Sequence, residues 1–155
     1  MVWDGPLSRP QAELLAARVS SINECFYCTS AHVMLLRESS KAVDLSIDTN
    51  ASMGGQGAET VDHGAELVSF AEAATLCSGN VDQVREAVLE RLGAEGFVDA
   101  ASIIGIFNGL VRTADATGIP LDDSMKLATV EARKDLGIND FRGGIEHALV
   151  CNPLF

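Results

Sequence analysis

The sequence predicts an all-α domain of six to seven helices, and three observations carry that expectation. Apolar residues recur at three- and four-residue steps over most of the chain, alternating apolar and polar runs are never sustained, and turn clusters sit far apart. With 155 residues, 47% of them apolar and 21% charged, the chain is long enough for one core and is read as a single domain over residues 1–155, without repeats.

The first helix is expected in "SRPQAELLAARVSSI", where Leu14, Leu15, Ala17, Val19 and Ile22 share a face, Ser8 suits the N-cap and Pro10 the first turn. Asn23 is the expected cap of a second helix, "ECFYCTSAHVMLLRES", unless one longer helix kinks there. Residues 39–58 turn polar and glycine-rich, and read as a short helical turn followed by a mobile loop, either a connector or a cover for an active site. A third helix is expected from Thr60 or Asp62 to about Cys77, with Leu67, Val68, Phe70, Ala71 and Ala74 inside. "VDQVREAVLERLG" follows, with Val81, Val84, Val88, Leu89 and Leu92 at helical spacing and Gly93 as its stop. "VDAASIIGIFNGLVRTADAT" is the most apolar segment and the expected central helix, ended by "GIPLDD". "DDSMKLATVEARKDLG" reads as a further amphipathic helix and "DFRGGIEHALV" as a short last one.

A formal net charge of −11 repels phosphate backbones and anionic lipid, and Lys and Arg are scattered without a basic stripe, so neither nucleic acid nor a membrane surface is an expected partner. The N-terminal "MVWDGPLSRP" has no basic stretch leading into an apolar one, and the longest apolar run, residues 101–111, is too short for a bilayer and carries Asn108. A cytoplasmic protein is the expectation, and its four cysteines are then thiols that are buried, metal-bound or redox-active rather than a disulfide framework.

Two of the four lie in "INECFYCTSAH". On a helix, Cys25, Cys28 and His32 fall within an arc of about 60°, and the two cysteine Cα atoms are about 5 Å apart, a separation a disulfide accepts. A cysteine in the first turn also sees the positive end of the helix dipole, which lowers thiol pKa. Four readings stand side by side: plain core, a zinc site that borrows a fourth ligand from Glu13, His63, Cys77, His147 or Cys151, a thioredoxin-like pair lacking its βαβ setting, and a redox pair served by His32 as proton carrier.

Widening the window to Glu13 gives E-x11-C-x2-C-x3-H, the residues Glu13, Cys25, Cys28 and His32. That arrangement, with "SINECFYCTSAH" around it, resembles the AhpD-like alkylhydroperoxidase group of the carboxymuconolactone decarboxylase superfamily. "IFNGLVRTADATGIPLD" at residues 106–122 is similar to a second segment of the same group, so the likeness spans roughly residues 4–122. The resemblance implies an all-helical bundle with the CxxC at the start of a helix, assembled as a homotrimer or homohexamer. It implies a thiol-dependent peroxidase acting on organic hydroperoxides, in which Cys28 attacks, Cys25 resolves the sulfenic acid as a disulfide, and Glu13, through water and His32, relays protons. It implies no metal, haem or flavin, and an external dithiol reductant such as a lipoyl group or a thioredoxin-like protein. Some members place a second His before the second Cys, where this chain has Tyr27, a poor proton relay at neutral pH. Helices that precede the motif in longer members are not expected. The decarboxylase branch lacks the cysteine pair and is not resembled in chemistry. The competing reading is a non-enzymatic redox sensor or disulfide-exchange protein using the same CxxC.

Of the remaining candidates, Cys77 and Cys151 are expected to be plain buried or terminal thiols, and His63 and His147 surface residues. Asn108, Arg112 and Asp115 share a face of an apolar helix, where Arg112 and Asp115 are expected to form a structural or subunit-interface ion pair, with direct contact with substrate as the second reading.

Overall fold

Ser8 ends the incoming extended chain and starts α1 (Arg9–Ile22), accepting the Gln11 N–H while the Gln11 side chain accepts from Ser8, a reciprocal capping box. The computed structural model describes residues 5–145, and the described residues contain helices and no strand. After α1 come α2 (Phe26–Lys41), α3 (Gly64–Thr75), α4 (Val81–Thr117), α5 (Asp123–Ala128) and α6 (Val130–Asp135), with 3-10 turns at Thr49–Met53, Ala58–Thr60 and Ile138–Asp140. Gly93, at φ 70° and ψ 177°, interrupts α4. That region of backbone space belongs almost solely to glycine, so α4 is two helical pieces joined at the expected stop.

The central helix is α1, not the apolar segment of α4. Leu14, Leu15, Ala17 and Val19 have no exposed surface, and all but three of the fourteen α1 residues are buried. The helix packs against α2, α3 and α4. The second piece of α4 buries only a stripe through Gly96, Ala100, Ile103, Ile104 and Val111, and leaves Val98, Ile106 and Leu110 about half exposed. By length and composition alone Val81–Thr117 could cross a membrane, beyond what the run at 101–111 promised. Its buried stripe instead joins α1 and α3 in the core with Leu15, Leu67 and Phe70.

Other boundaries move for identifiable reasons. Asn23 ends α1, and Glu24 at φ 53° turns the chain, so Cys25 rather than Asn23 caps α2 and the two helices are separate. The α3 helix begins only at Gly64, because His63 takes a left-handed conformation as its N-cap, and it ends at Thr75 before Cys77, also left-handed. The segment after α2 is held onto α1 rather than looping free: Ala51 and Ser52 are fully buried, and the Ser21 hydroxyl donates to the Ser52 carbonyl. The expected helix after Asp122 splits at Thr129, whose hydroxyl donates to the Met125 carbonyl and accepts from Arg133. Of the last expected helix the described part starts at residue 142, and its remainder, with His147 and Cys151, lies outside the described residues.

Candidate active site

Cys25 sits at the N-cap of α2 in extended conformation, its sulfur accepting the Cys28 N–H at 3.5 Å, and Cys28 follows within the first turn. Both are free thiols, Cys25 wholly buried and Cys28 6% exposed. They pack together with Val111, Ala114 and Tyr27, so α4 forms the wall facing the pair.

The sulfurs are electrostatically unequal. A hydrogen bond from Cys25 holds the Cys28 thiol below its ordinary range, against the opposing effects of burial and the nearby Asp115 charge. The same interaction, reinforced by burial, pushes the Cys25 thiol far up, and Asp115, within hydrogen-bond reach of Cys25, adds to the rise. The outer sulfur is thus the more readily deprotonated of the two, and the inner one holds its proton more tightly.

Across α1, Glu13 is 4% exposed and fully engaged: Oε2 lies 2.7 Å from His32 Nδ1 and Oε1 lies 2.5 Å from Arg9 Nη2. A carboxylate placed between a guanidinium and an imidazole can only accept, so Nδ1 donates and Nε2 is left as the proton-exchanging nitrogen. The His32 ring stands edge-on to Phe107, with centroids 4.5 Å apart at 84°. His32 makes no hydrogen bond to either sulfur. Arg9 was missed by the motif, although an opposite charge four residues before Glu13 is a signal that helical spacing offers.

The four motif residues therefore fall into two contacting pairs, Cys25 with Cys28 and Glu13 with His32. The 106–122 segment serves both, through Phe107 on the imidazole and Val111, Ala114 and Asp115 on the sulfurs. Its polar residues differ from expectation. Arg112 forms no ion pair with Asp115 among the described residues; the Asp115 charge acts on the cysteines instead. Asn108 is structural: it accepts from Asn23 at 3.2 Å and donates to the Thr75 hydroxyl at 3.1 Å, tying the α1–α2 turn to α3. His63 caps α3 with Asp62 at 3.7 Å. Cys77 is exposed rather than buried, because it lies past the end of α3 where the chain turns outward. Among the described residues no three His, Cys, Asp or Glu side chains converge to hold a metal ion, and two of the candidate fourth ligands, His147 and Cys151, lie outside the described residues.

Beside the cysteines opens a cavity of about 730 Å³. Its floor is Phe26 and Leu121, both buried, and its inner wall is Tyr27 and Ala114, the residues that also pack on the sulfurs. Exposed Arg112, Asp115, Ile119 and Pro120 form its rim.

The family model described as carboxymuconolactone decarboxylase family matches residues 1–60 of the chain, the stretch that holds Glu13, Cys25, Cys28 and His32. No curated protein and no solved structure matches the chain.

Proposed function

We propose that this chain, whose residues 1–60 carry the carboxymuconolactone decarboxylase family pattern, is a thiol-dependent peroxidase for organic hydroperoxides. The observation that supports this best is the unequal thiol pair at the head of α2, with the outer sulfur the more readily deprotonated, together with the buried Glu13 carboxylate hydrogen-bonded to His32.

The chemistry balances on these groups. The Cys28 thiolate attacks the terminal oxygen of ROOH; an S–O bond forms, the O–O bond breaks, and the alkoxide takes a proton carried by water from His32 Nε2 to leave as ROH. Glu13 keeps the imidazole oriented and offsets its charge while it cycles. The Cys25 sulfur, losing its proton to the relay, then attacks Cys28–SOH; the S–S bond forms and hydroxide leaves, protonated to water. Two thiols are oxidised and one peroxide is reduced to alcohol and water. An external dithiol, of the lipoyl or thioredoxin-like class, must reduce the disulfide to close the cycle. Assembly with further copies of the chain belongs to the same proposal.

One equivalent of cumene hydroperoxide added to the fully reduced protein should yield a Cys25–Cys28 disulfide within the mixing time of an intact-mass experiment, with the bond located by peptide mapping. In Cys28→Ser no disulfide should form, and turnover with dihydrolipoamide should fall to background. Hydroperoxide consumption by Cys28→Ser at the parental rate would refute the mechanism. A single oxidation with no regeneration by any dithiol would leave the sensor reading in its place.

A further inference from the structure

We infer that the cavity beside the cysteine pair is the substrate chamber and that it selects amphipathic acids, with an apolar body inside and a carboxylate on Arg112. This deepens the peroxidase proposal and rests on it for the identity of the reacting group.

Location makes the case first. Tyr27 and Ala114 pack against the two sulfurs on one side and line the cavity on the other. A volume of about 730 Å³ is that of a small-molecule site. A half-buried Tyr27 with a single rotor between chamber and dithiol can swing aside to admit a peroxide group.

The chemistry of the walls then narrows the ligand. Phe26, Tyr27, Ile119, Pro120 and Leu121 offer an apolar channel that would take a hydrocarbon chain. Arg112 stands at the rim and makes no ion pair with any described residue. Its helix neighbour Asp115 lies on the same rim but forms no ion pair with it. In a chain of net charge −11 the long-range field repels anions, and a guanidinium without an ion-pair partner among the described residues, at the mouth of the chamber, gives a carboxylate a local reason to enter. Asp115, on the rim with Arg112, also bears its charge on the Cys28 sulfur and so disfavours the reverse orientation with the carboxylate against the dithiol. The peroxide end is therefore presented to Cys28.

Binding can be read without any redox step. Calorimetric titration of the reduced full-length protein with octanoate, and separately with 1-octanol, tests the chamber directly. Octanoate should bind the parent, about tenfold more weakly to Arg112→Gln, as expected for loss of one charge-assisted hydrogen bond. Arg112→Lys should recover part of the affinity, and octanol should bind parent and both variants alike. Equal octanoate affinity in parent and Arg112→Gln, no octanoate binding at all, or a parallel loss for octanol would overturn the inference. The cumene hydroperoxide experiment above needs no carboxylate, so its failure would remove the peroxidase reading while this titration still decides the chamber.

Discussion

At Cys25 and Cys28 one hydrogen bond assigns different work to two identical side chains. Cys25 is the donor, and its proton near the Cys28 sulfur favours the Cys28 thiolate; Asp115 opposes that thiolate with its own charge. Removing either partner should therefore shift Cys28 in opposite senses. Cys25→Ala deletes the donor, so Cys28 titrates higher and its thiolate appears only at higher pH. Asp115→Asn deletes the opposing charge, so Cys28 titrates lower. Because the thiolate is the species that is alkylated, the pH midpoint of iodoacetamide modification at the Cys28 peptide should rise in the first variant and fall in the second. Reading the rate peptide by peptide separates Cys28 from exposed Cys77. Midpoints that move together, or not at all, would show that the described hydrogen bond and charge do not set the nucleophile. Tyr27 enters at this scale as a wall between chamber and thiols rather than as a second proton relay.

The helices set these residues where they are, and the way they begin and end is the most exposed part of any sequence reading. Gly64 is an instructive case. A Cβ added there would lie 2.0 Å from the Ala58 carbonyl oxygen, a backbone atom that cannot swing away. Gly64→Ala should therefore cost about 1–3 kcal/mol of unfolding free energy, as overpacking does, whereas Gly79→Ala, with nothing within 4 Å, should be neutral. Urea unfolding of the two variants measures the contrast, and equal midpoints would contradict the described approach of α3 to the preceding turn. Periodicity made the helices themselves legible, along with Ser8, Pro10 and the Gly93 break, because each is a local signal. The starts of α2 and α3 were not legible, because Glu24 and His63 take left-handed conformations that their side chains do not advertise. The same division holds at the site. Helical spacing grouped Cys25, Cys28 and His32 and the family resemblance added Glu13, while the Asp115 approach to the sulfurs depends on how α4 lies across α2, a tertiary fact that a local pattern does not contain.

Over the whole molecule, the feature that demands an account is the outer face of α4. Val98, Ile106 and Leu110 are 59%, 55% and 49% exposed, and between them Gly105 and Gly109 present bare backbone with open space where a Cβ would lie. Such a face, apolar and without charge, is unusual on a protein surface unless something covers it. We propose a second copy as the occupant, because two chains of net charge −11 repel each other at long range and are opposed least where they meet at a face without charge. The small residues let a facing helix come near, and the flanking Ile and Leu then supply the apolar contact that interface cores use. Self-association should appear in light scattering as a mass that is a multiple of 16.4 kDa, with a threefold or sixfold multiple expected from the resemblance. The double variant Ile106→Asp, Leu110→Asp should run at the single-chain mass with unchanged helical circular dichroism, since both side chains point away from the core stripe. A parent that already runs at the single-chain mass at tens of micromolar, or a double variant that still assembles, would remove α4 as the contact. Assembly through this face would also restrain the 106–122 segment, which carries Phe107 against His32 and Val111, Ala114 and Asp115 against the cysteines. The double variant should for that reason react more slowly with hydroperoxide at Cys28 although neither altered residue touches a sulfur.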